Sequence, residues 1–340
     1  MNFNKKNIFA IILSLLFLYL VFQGIDIRRL LDTFSIFDYK ILFMIVPLIL
    51  VSMIIRGYRW KALINRSENI SISDLTEIIM AGNTLNIYLP ARAGDFFRAY
   101  FLGEKHNKPK MEILASIVIE RIIDGLTVLF LLFSAICLYY KTEWAFKIAG
   151  SAALFFSAGI FFIHFLLKYN KIDYLTCKTK QIFSNLPKVF ASKMIYITEK
   201  IRIWINTFID GISNSLDKKK ISQAGLLSLI IWLIECTIVY ILILGFGITI
   251  HFSSALFVIG FIALASIIPS SSIYIGPFQY AFILALSIYN IDKSSALAIS
   301  FMLQMINVFV LTISFIIFVI KNNLNILILK KTNMLGSINE

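Results

Sequence analysis

Arg92, Asp95 and Arg98 lie close together in "LNIYLPARAGDFFRAYFL", directly after an apolar stretch and beside Pro90 and Gly94. A guanidinium offers two parallel hydrogen bonds to a phosphate, which an ammonium cannot. Two arginines at a break in the backbone therefore suit a phosphate-bearing ligand. A helix starting after the break would add free amide donors and a favourable dipole. Arg92 and Arg98 also admit a plainer reading, as anchors at a membrane surface. The same choice applies to Arg56 and Arg59 in "RGYRW": both are candidates to hold phosphate, yet basic and aromatic residues at the end of an apolar run are interfacial by default.

A second set of ionisable groups sits deeper in apolar sequence. In "IVIERIIDGLTVLFLLF", Glu120 and Asp124 share a helix face at i, i+4, with Arg121 beside them. A charge in the hydrocarbon interior costs at least ~2.5 kcal/mol unless it is paired or hydrated, so such residues turn toward a bundle interior or a cavity. Asp95, Glu120, Arg121, Asp124 and Glu235 thus form a candidate charge network. Its structural alternative is a set of salt bridges that only lock helices together. Glu235, in "LIIWLIECTIVYILIL", has no neutralising neighbour in sequence. It needs Arg121, Arg98 or a proton.

Positioning these groups falls to membrane helices. Hydrophobic residues make up 59% of the 340 and charged ones 15%, and the mean hydropathy is +0.84, far above a soluble domain. Runs of about 20 apolar residues suffice to span the hydrocarbon core as helix, and backbone satisfaction in lipid leaves helix as the reasonable form. The expected fold is all-α, a single polytopic bundle over residues 1–340. Spans are expected at about 8–23, 40–55, 111–139, 145–167, 223–245 and 294–320, with shorter apolar pieces at 78–90, 253–268 and 277–289. The first run has no small-residue cleavage site after it and reads as a retained span.

The net charge of +13 sits in the flanks of these runs, which points to orientation and anionic lipid rather than nucleic acid. Placing Lys5, Lys6, the 56–66 cluster, Arg92 to Lys110, the 168–220 segment and Lys321, Lys330 and Lys331 on one side obeys the positive-inside rule. Both termini are then cytoplasmic, in a multi-pass protein of the cell membrane. Within the basic segment 168–222, Phe190, Met194, Ile197, Ile201, Trp204 or Ile205, Phe208 and Ile212 recur at helical spacing. That pattern is an amphipathic helix, lying either on the inner leaflet or against the rest of the protein.

Two of the short apolar pieces carry breaks. The first, 78–90, is interrupted by Gly82, Asn83 and Asn86 and ends at Pro90, which lacks an amide hydrogen and restricts the residue before it. The second, "ALASIIPSSSIYIGPFQYAFILAL", breaks at Pro269 and resumes after Gly276 and Pro277, with Gln279 in the new helix. On the topology above, one broken hairpin enters from the cytoplasm and the other from outside. Re-entrant helices at matching places in two halves suggest an inverted repeat and mark a transporter's substrate site; two unrelated kinks in ordinary spans are the alternative.

The order of these motifs resembles the transmembrane, flippase-like region of bacterial lysylphosphatidylglycerol synthases. The residues that carry the likeness are Arg56-Gly-Tyr-Arg59-Trp60, Pro90-Ala-Arg92-Ala-Gly94-Asp95-Phe-Phe-Arg98, Glu120-Arg121-Ile-Ile-Asp124, and Pro269 to Gly276-Pro277-Phe-Gln279, spread over roughly residues 8–325. The resemblance implies a lipid-translocating unit with re-entrant helices. It does not imply aminoacylation, since the chain ends about twenty residues after its last expected span. Two departures stand out: the family usually has Glu where Asp95 stands, and an acid where Gln279 stands. If that acid carries protons, the substitution bears on coupling.

Two function classes follow. One is flipping or scrambling of anionic phospholipid or a lipid-linked intermediate. The other is a membrane-embedded glycosyltransferase, or an accessory subunit, acting on polyprenyl-phosphate lipid; distant members of the family imply it, but no acidic pair stands on a sizeable outer loop. No phosphate-binding loop or dinucleotide fingerprint calls for a cofactor. Cys137, Cys177 and Cys236 are too scattered for a disulfide framework or a metal site, as are His106, His164 and His251 for zinc. Homo-oligomerisation stays open.

Overall fold

The computed structural model describes residues 19–23, 25–64, 70–89, 92–139, 188–265 and 276–323, together with single helical positions at 147, 150, 151, 154, 157 and 161. Among the described residues every regular element is helical. In chain order they are α1 (Ile27–Ile36), a 3-10 turn (Tyr39–Ile41), α2 (Leu42–Leu63), α3 (Ile72–Tyr88), α4 (Ala93–His106), α5 (Lys110–Tyr139), α6 (Lys188–Ser215), α7 (Lys218–Gly245), α8 (Phe252–Ala265), α9 (Pro277–Ser287) and α10 (Lys293–Lys321).

Among the described residues, three stretches are long and apolar enough to cross a membrane: Tyr39–Leu63 (25 residues), Lys218–Gly245 (28) and Lys293–Lys321 (29). They contain the expected spans at 40–55, 223–245 and 294–320. Helix α5, with 30 residues, equals them in length but interrupts its apolar run with Glu120, Arg121 and Asp124. Most of the expected spans 8–23 and 145–167 lies outside the described residues. Large apolar side chains face outward while charged ones are enclosed: Phe43 is 85% exposed, whereas Arg59 and Arg98 are 0% exposed.

The short apolar pieces form two helix pairs. The segment expected at 78–90 is part of the 17-residue helix α3, which begins at Ile72 because the Ser71 hydroxyl accepts the Asp74 amide at 3.0 Å. Apolarity alone hid that polar first turn. Leu89, before Pro90, leaves the helix at φ −109°, ψ 143°, as steric clash with a proline ring requires. Pro90 and Pro269 themselves lie outside the described residues. Helix α4 follows α3, and α9 follows α8, each packing on the helix before it. Pro277 occupies the first turn of α9 after Gly276, whose φ of 103° a side chain would strain.

Packing repeats between the two halves of the chain. Helix α2 packs on α3, α3 on α4 and α4 on α5, just as α7 packs on α8, α8 on α9 and α9 on α10. Across the halves, α5 meets α8 as α10 meets α3, and α5 meets α6 as α10 meets α1. Helices α2 and α7 are antiparallel partners, since Ser52 reaches Glu235 and Arg59 reaches Ser228. One core cluster gathers Ile45, Leu132, Leu242, Phe257, Phe282 and Leu297; another gathers Trp60, Leu75, Ile78, Phe97, Leu102 and Phe318.

Helix α6 packs against α5 at its carboxyl-terminal end. Ile209, Ile212 and Ser215 are buried there, and a Cβ on Gly211 would stand 2.8 Å from the Glu112 Cα. Tyr196, Ile197, Ile201 and Ile203 remain exposed. Among the described residues, the apolar stripe is thus buried at Ile212, partly buried at Met194, Trp204 and Phe208, and exposed at Ile197 and Ile201.

Candidate functional site

The site begins with a glycine crossing. A Cβ on Gly94 would stand 1.8 Å from the Gly82 carbonyl oxygen, and one on Gly82 would stand 2.5 Å from the Arg98 Cγ. Only two glycines allow α3 and α4 to approach this closely. The approach lays the Arg98 side chain across Gly82 and aims its guanidinium at α5. There Arg98 Nη1 and Nη2 donate to Glu120 Oε1 at 3.2 Å and Oε2 at 2.9 Å, a bidentate pair. The Arg98 guanidinium also lies 4.2 Å from the centre of the Trp60 ring, whose Nε1 donates to Ser116 Oγ at 3.1 Å.

Glu120 is shared. Arg59 Nη2 lies 3.1 Å from its Oε1, while the other face of that guanidinium serves Asp124: Nη2 donates to Oδ2 at 3.1 Å and Nη1 bonds Oδ1. Arg59 Nη1 also donates to Ser228 Oγ at 2.7 Å, and Trp232 Nε1 donates to Asp124 Oδ1 at 2.9 Å. At the other end, Arg121 Nη2 and Nε donate to Asp95 Oδ1 at 2.7 Å and Oδ2 at 3.3 Å. Asn86 Nδ2 adds a bond to Asp95 Oδ1 at 3.2 Å, and Arg98 Nη1 stands 3.8 Å from the same oxygen. Carboxylates and guanidinium groups therefore alternate from Asp124 through Arg59, Glu120, Arg98 and Asp95 to Arg121, tying α2, α4, α5 and α7 together.

One turn along α2, Arg56 Nη2 donates to Glu235 Oε1 at 3.0 Å, and Ser52 Oγ donates to it at 3.3 Å. Sequence reasoning expected Arg121 or Arg98 as the partner of Glu235; the partner is Arg56, because antiparallel packing of α2 on α7 sets it opposite. Four arginines face four carboxylates, so the whole assembly carries no net charge. Removing one member of a buried pair strands an uncompensated charge, at a cost of roughly 3–5 kcal/mol. The Nε atoms of Arg56, Arg59 and Arg98 are buried with no hydrogen-bond partner among the described residues. The cluster is neutral in charge yet has spare donors.

A model of the family described as "Lysylphosphatidylglycerol synthase TM region" matches residues 7–314. The chain belongs to this family. Among curated proteins it is similar to the UPF0104 membrane protein MJ1078 of Methanocaldococcus jannaschii, 25% identical over 66% of this chain and 88% of that protein. It also matches the UPF0104 membrane protein MJ1595 of the same organism, at 30% identity over 42% of this chain and 43% of that protein. The Glycosyltransferase AglD of Haloferax volcanii is 29% identical over 35% of this chain and 19% of that protein. No solved structure matches. As a member of the lysylphosphatidylglycerol synthase transmembrane family, the chain is a membrane protein.

Of the residues singled out in the sequence, the structure brings together Arg56, Arg59, Asp95, Arg98, Glu120, Arg121, Asp124 and Glu235. Arg92 stands apart: it is exposed, caps α4 in the left-handed region at φ 52°, and has no ion-pair partner among the described residues. At the second break, the Gly276 amide donates to Gln279 Oε1 at 2.8 Å, and Gln279 Nε2 bonds Gln304 Oε1. Gln279 is 0% exposed. Ser52, Ser228, Trp232 and Gln304 join the site without having been singled out in the sequence, and Trp60, Gly82 and Asn86, read there as an interfacial aromatic and as helix interruptions, turn out to line it. A signal existed: Ser52, Arg56 and Arg59 on α2, and Ser228, Trp232 and Glu235 on α7, each recur at i, i+4, i+7 within apolar runs.

Proposed function

We propose that this protein moves anionic phospholipid, or a lipid-linked intermediate with a phosphate head, between membrane leaflets. The observation that carries the proposal is the chain of ion pairs joining α2, α4 and α5 beside the glycine crossing, to which Ser228 and Trp232 of α7 hydrogen-bond. A lock needed only for stability is cheaper to build from apolar side chains, because desolvating charges costs as much as their attraction returns. Charges retained at this depth suit a switch that an anion can open, with Arg56, Arg59, Arg92 and Arg98 the groups that would meet phosphate once the pairs part. The spare guanidinium donors give an acceptor-only oxyanion something to bind. On this reading both termini are cytoplasmic, and the α3/α4 and α8/α9 pairs are re-entrant hairpins. The matched packing of the halves and the antiparallel α2–α7 pair support an inverted repeat.

The test is leaflet exchange. Protein in phosphatidylcholine vesicles should expose fluorescent phosphatidylglycerol from the inner leaflet to an external quencher, and Arg98→Ala should slow this far more than Lys105→Ala. Lys105 is exposed and pairs with Asp74 at 3.1 Å, away from the network. Equal rates in both variants would reduce Arg98 to an anchor. The similarity to Glycosyltransferase AglD supports a second reading, sugar transfer to a polyprenyl phosphate or assistance to an enzyme that does so. That match covers a small part of AglD, so it ranks second. Labelled sugar appearing on polyprenyl phosphate, with no leaflet exchange, would reverse the order.

A further inference from the structure

The four arginines of the network are not equally free. Arg59 and Arg98 are 0% exposed and share Glu120, and Arg59 also holds Asp124. Arg56 is 14% exposed and fixed by Glu235 across the α2–α7 contact. Arg121 is 31% exposed, and its partner Asp95 is 12% exposed. The charge network reaches the outside of the protein at this pair.

We infer that Arg121 is the contact for the phosphate of the translocated lipid, and that Asp95 is the counter-ion this phosphate displaces. The inference rests on the lipid reading above. Three features of the geometry carry it. Arg121 presents Nε and Nη2 side by side to the two Asp95 oxygens, at 3.3 and 2.7 Å, the edge that a phosphate accepts equally well. Asp95 lies in the first turn of α4, where the helix's amino end favours a negative group of either kind. Asp95 also has somewhere to go: it already accepts from Asn86 at 3.2 Å, and Arg98 Nη1 waits 3.8 Å away.

Geometry argues for exchange rather than simple addition, because the Nε/Nη2 edge of Arg121 is already filled by the two Asp95 oxygens. Four arginines already match four carboxylates, so a phosphate brings one uncompensated negative charge whether or not Asp95 shifts. After exchange, Asp95 leans on Arg98 and the phosphate on Arg121. Arg92 then supplies the missing positive charge, since it is exposed, unpaired among the described residues, and sits at the amino end of the helix that bears Asp95. The shared ligand chemistry is a phosphate ester, and lipid is the source to which the inference commits.

Binding in detergent micelles tests this apart from transport. The probes are fluorescent phosphatidylglycerol and the diacylglycerol with the same labelled chain, which lacks only the phosphate head. Wild-type protein should prefer phosphatidylglycerol, and Arg121→Gln should cut that preference roughly tenfold, the scale of one lost charge-assisted contact. Asp95→Asn should strengthen binding several-fold by freeing Arg121, and the double variant should behave as Arg121→Gln does. A purely structural pair predicts the opposite for Asp95→Asn, which would then weaken binding alongside Arg121→Gln. That outcome, or unchanged binding in Arg121→Gln, overturns the inference. Should Arg121→Gln fail to elute as folded protein, Arg121→Lys keeps the charge, loses the fork and should fall between the two; Asp95→Asn, nearly isosteric, remains decisive alone. Displacement of the lipid by millimolar inorganic phosphate, with no preference over diacylglycerol, would reassign the site to soluble phosphate and sink the lipid assignment. Leaflet exchange by wild type that Arg121→Gln leaves intact defeats this inference but not the proposed function, whereas phosphate-selective binding without exchange does the reverse.

Discussion

The two breaks in the chain solve one packing problem with different chemistry. After the first, α4 sends Arg98 to Glu120 on the long helix α5; after the second, α9 sends Gln279 to Gln304 on the long helix α10. Each joins a short helix to the interior of the long helix that follows. The first is a bidentate ion pair enclosed by further charges, the second a pair of neutral amides helped by the Gly276 amide. Amides cost less to bury than ions, and an incoming phosphate competes with them only weakly. On the proposed function, the contrast puts the ligand-sensitive element in the first half and a fixed polar latch in the second. A neutral amide at Gln279, meeting another at Gln304, is what separates the two.

The largest effect that would sharpen this contrast comes from Glu120→Gln. It deprives Arg59 and Arg98 of a shared counter-ion at once, and stability in detergent should fall by about 3–5 kcal/mol. Chemical unfolding followed by tryptophan fluorescence would read it, since Trp60 lies over Arg98. A loss below about 1 kcal/mol would mean the charges are hydrated and the two breaks energetically alike. Next in size is Gly94→Ala, whose methyl would meet the Gly82 carbonyl oxygen at 1.8 Å. Forcing α3 and α4 apart should cost about 3 kcal/mol and move Arg98 off Glu120, while Gly225→Ala, with open space around it, should be close to neutral.

Much of this was legible in the sequence, for identifiable reasons. An ionisable residue within an apolar run has to find a partner, so Glu120, Arg121, Asp124 and Glu235 declared themselves by type and place. The spans at 223–245 and 294–320 were visible because their apolar runs exceed the hydrocarbon core of about 30 Å; 40–55 falls short of it alone and crosses only because the helix runs on to Leu63. Pairing was not legible. Glu235 could reach several arginines by composition, and only the antiparallel contact of α2 with α7 selects Arg56. The burial of Arg59 and Arg56 was equally hidden, since "RGYRW" at a span end reads as an interfacial anchor until α5 and α7 cover it. The start of α3 at Ile72 was missed because its first turn, ISDLTE, is polar.

The amide latch should respond on a smaller scale. Gln304→Leu leaves the Gln279 amide without its side-chain partner, and a buried polar group so stranded costs about 1–3 kcal/mol. Leaflet exchange should persist in this variant at a rate within a few-fold of wild type, because no charge is disturbed. If Gln304→Leu abolishes exchange while Arg98→Ala does not, the assignment of switch and latch to the two halves is inverted.

The smallest effect lies where the halves meet, at Arg56 and Glu235. Their side chains are 14% and 21% exposed, against 0% and 4% for Arg98 and Glu120, so solvent already screens part of their attraction. A double-mutant cycle with Arg56→Met and Glu235→Met should give a coupling of about 1 kcal/mol, near the value for partly exposed pairs. The double variant should recover most of the stability lost by either single one, since neither leaves an orphaned charge. A coupling as large as that between Arg98 and Glu120 would mean that the pair is as dry as the network's centre. The charged region would then extend across the α2–α7 contact into the second half, and the division between a charged half and a neutral one would have to be withdrawn.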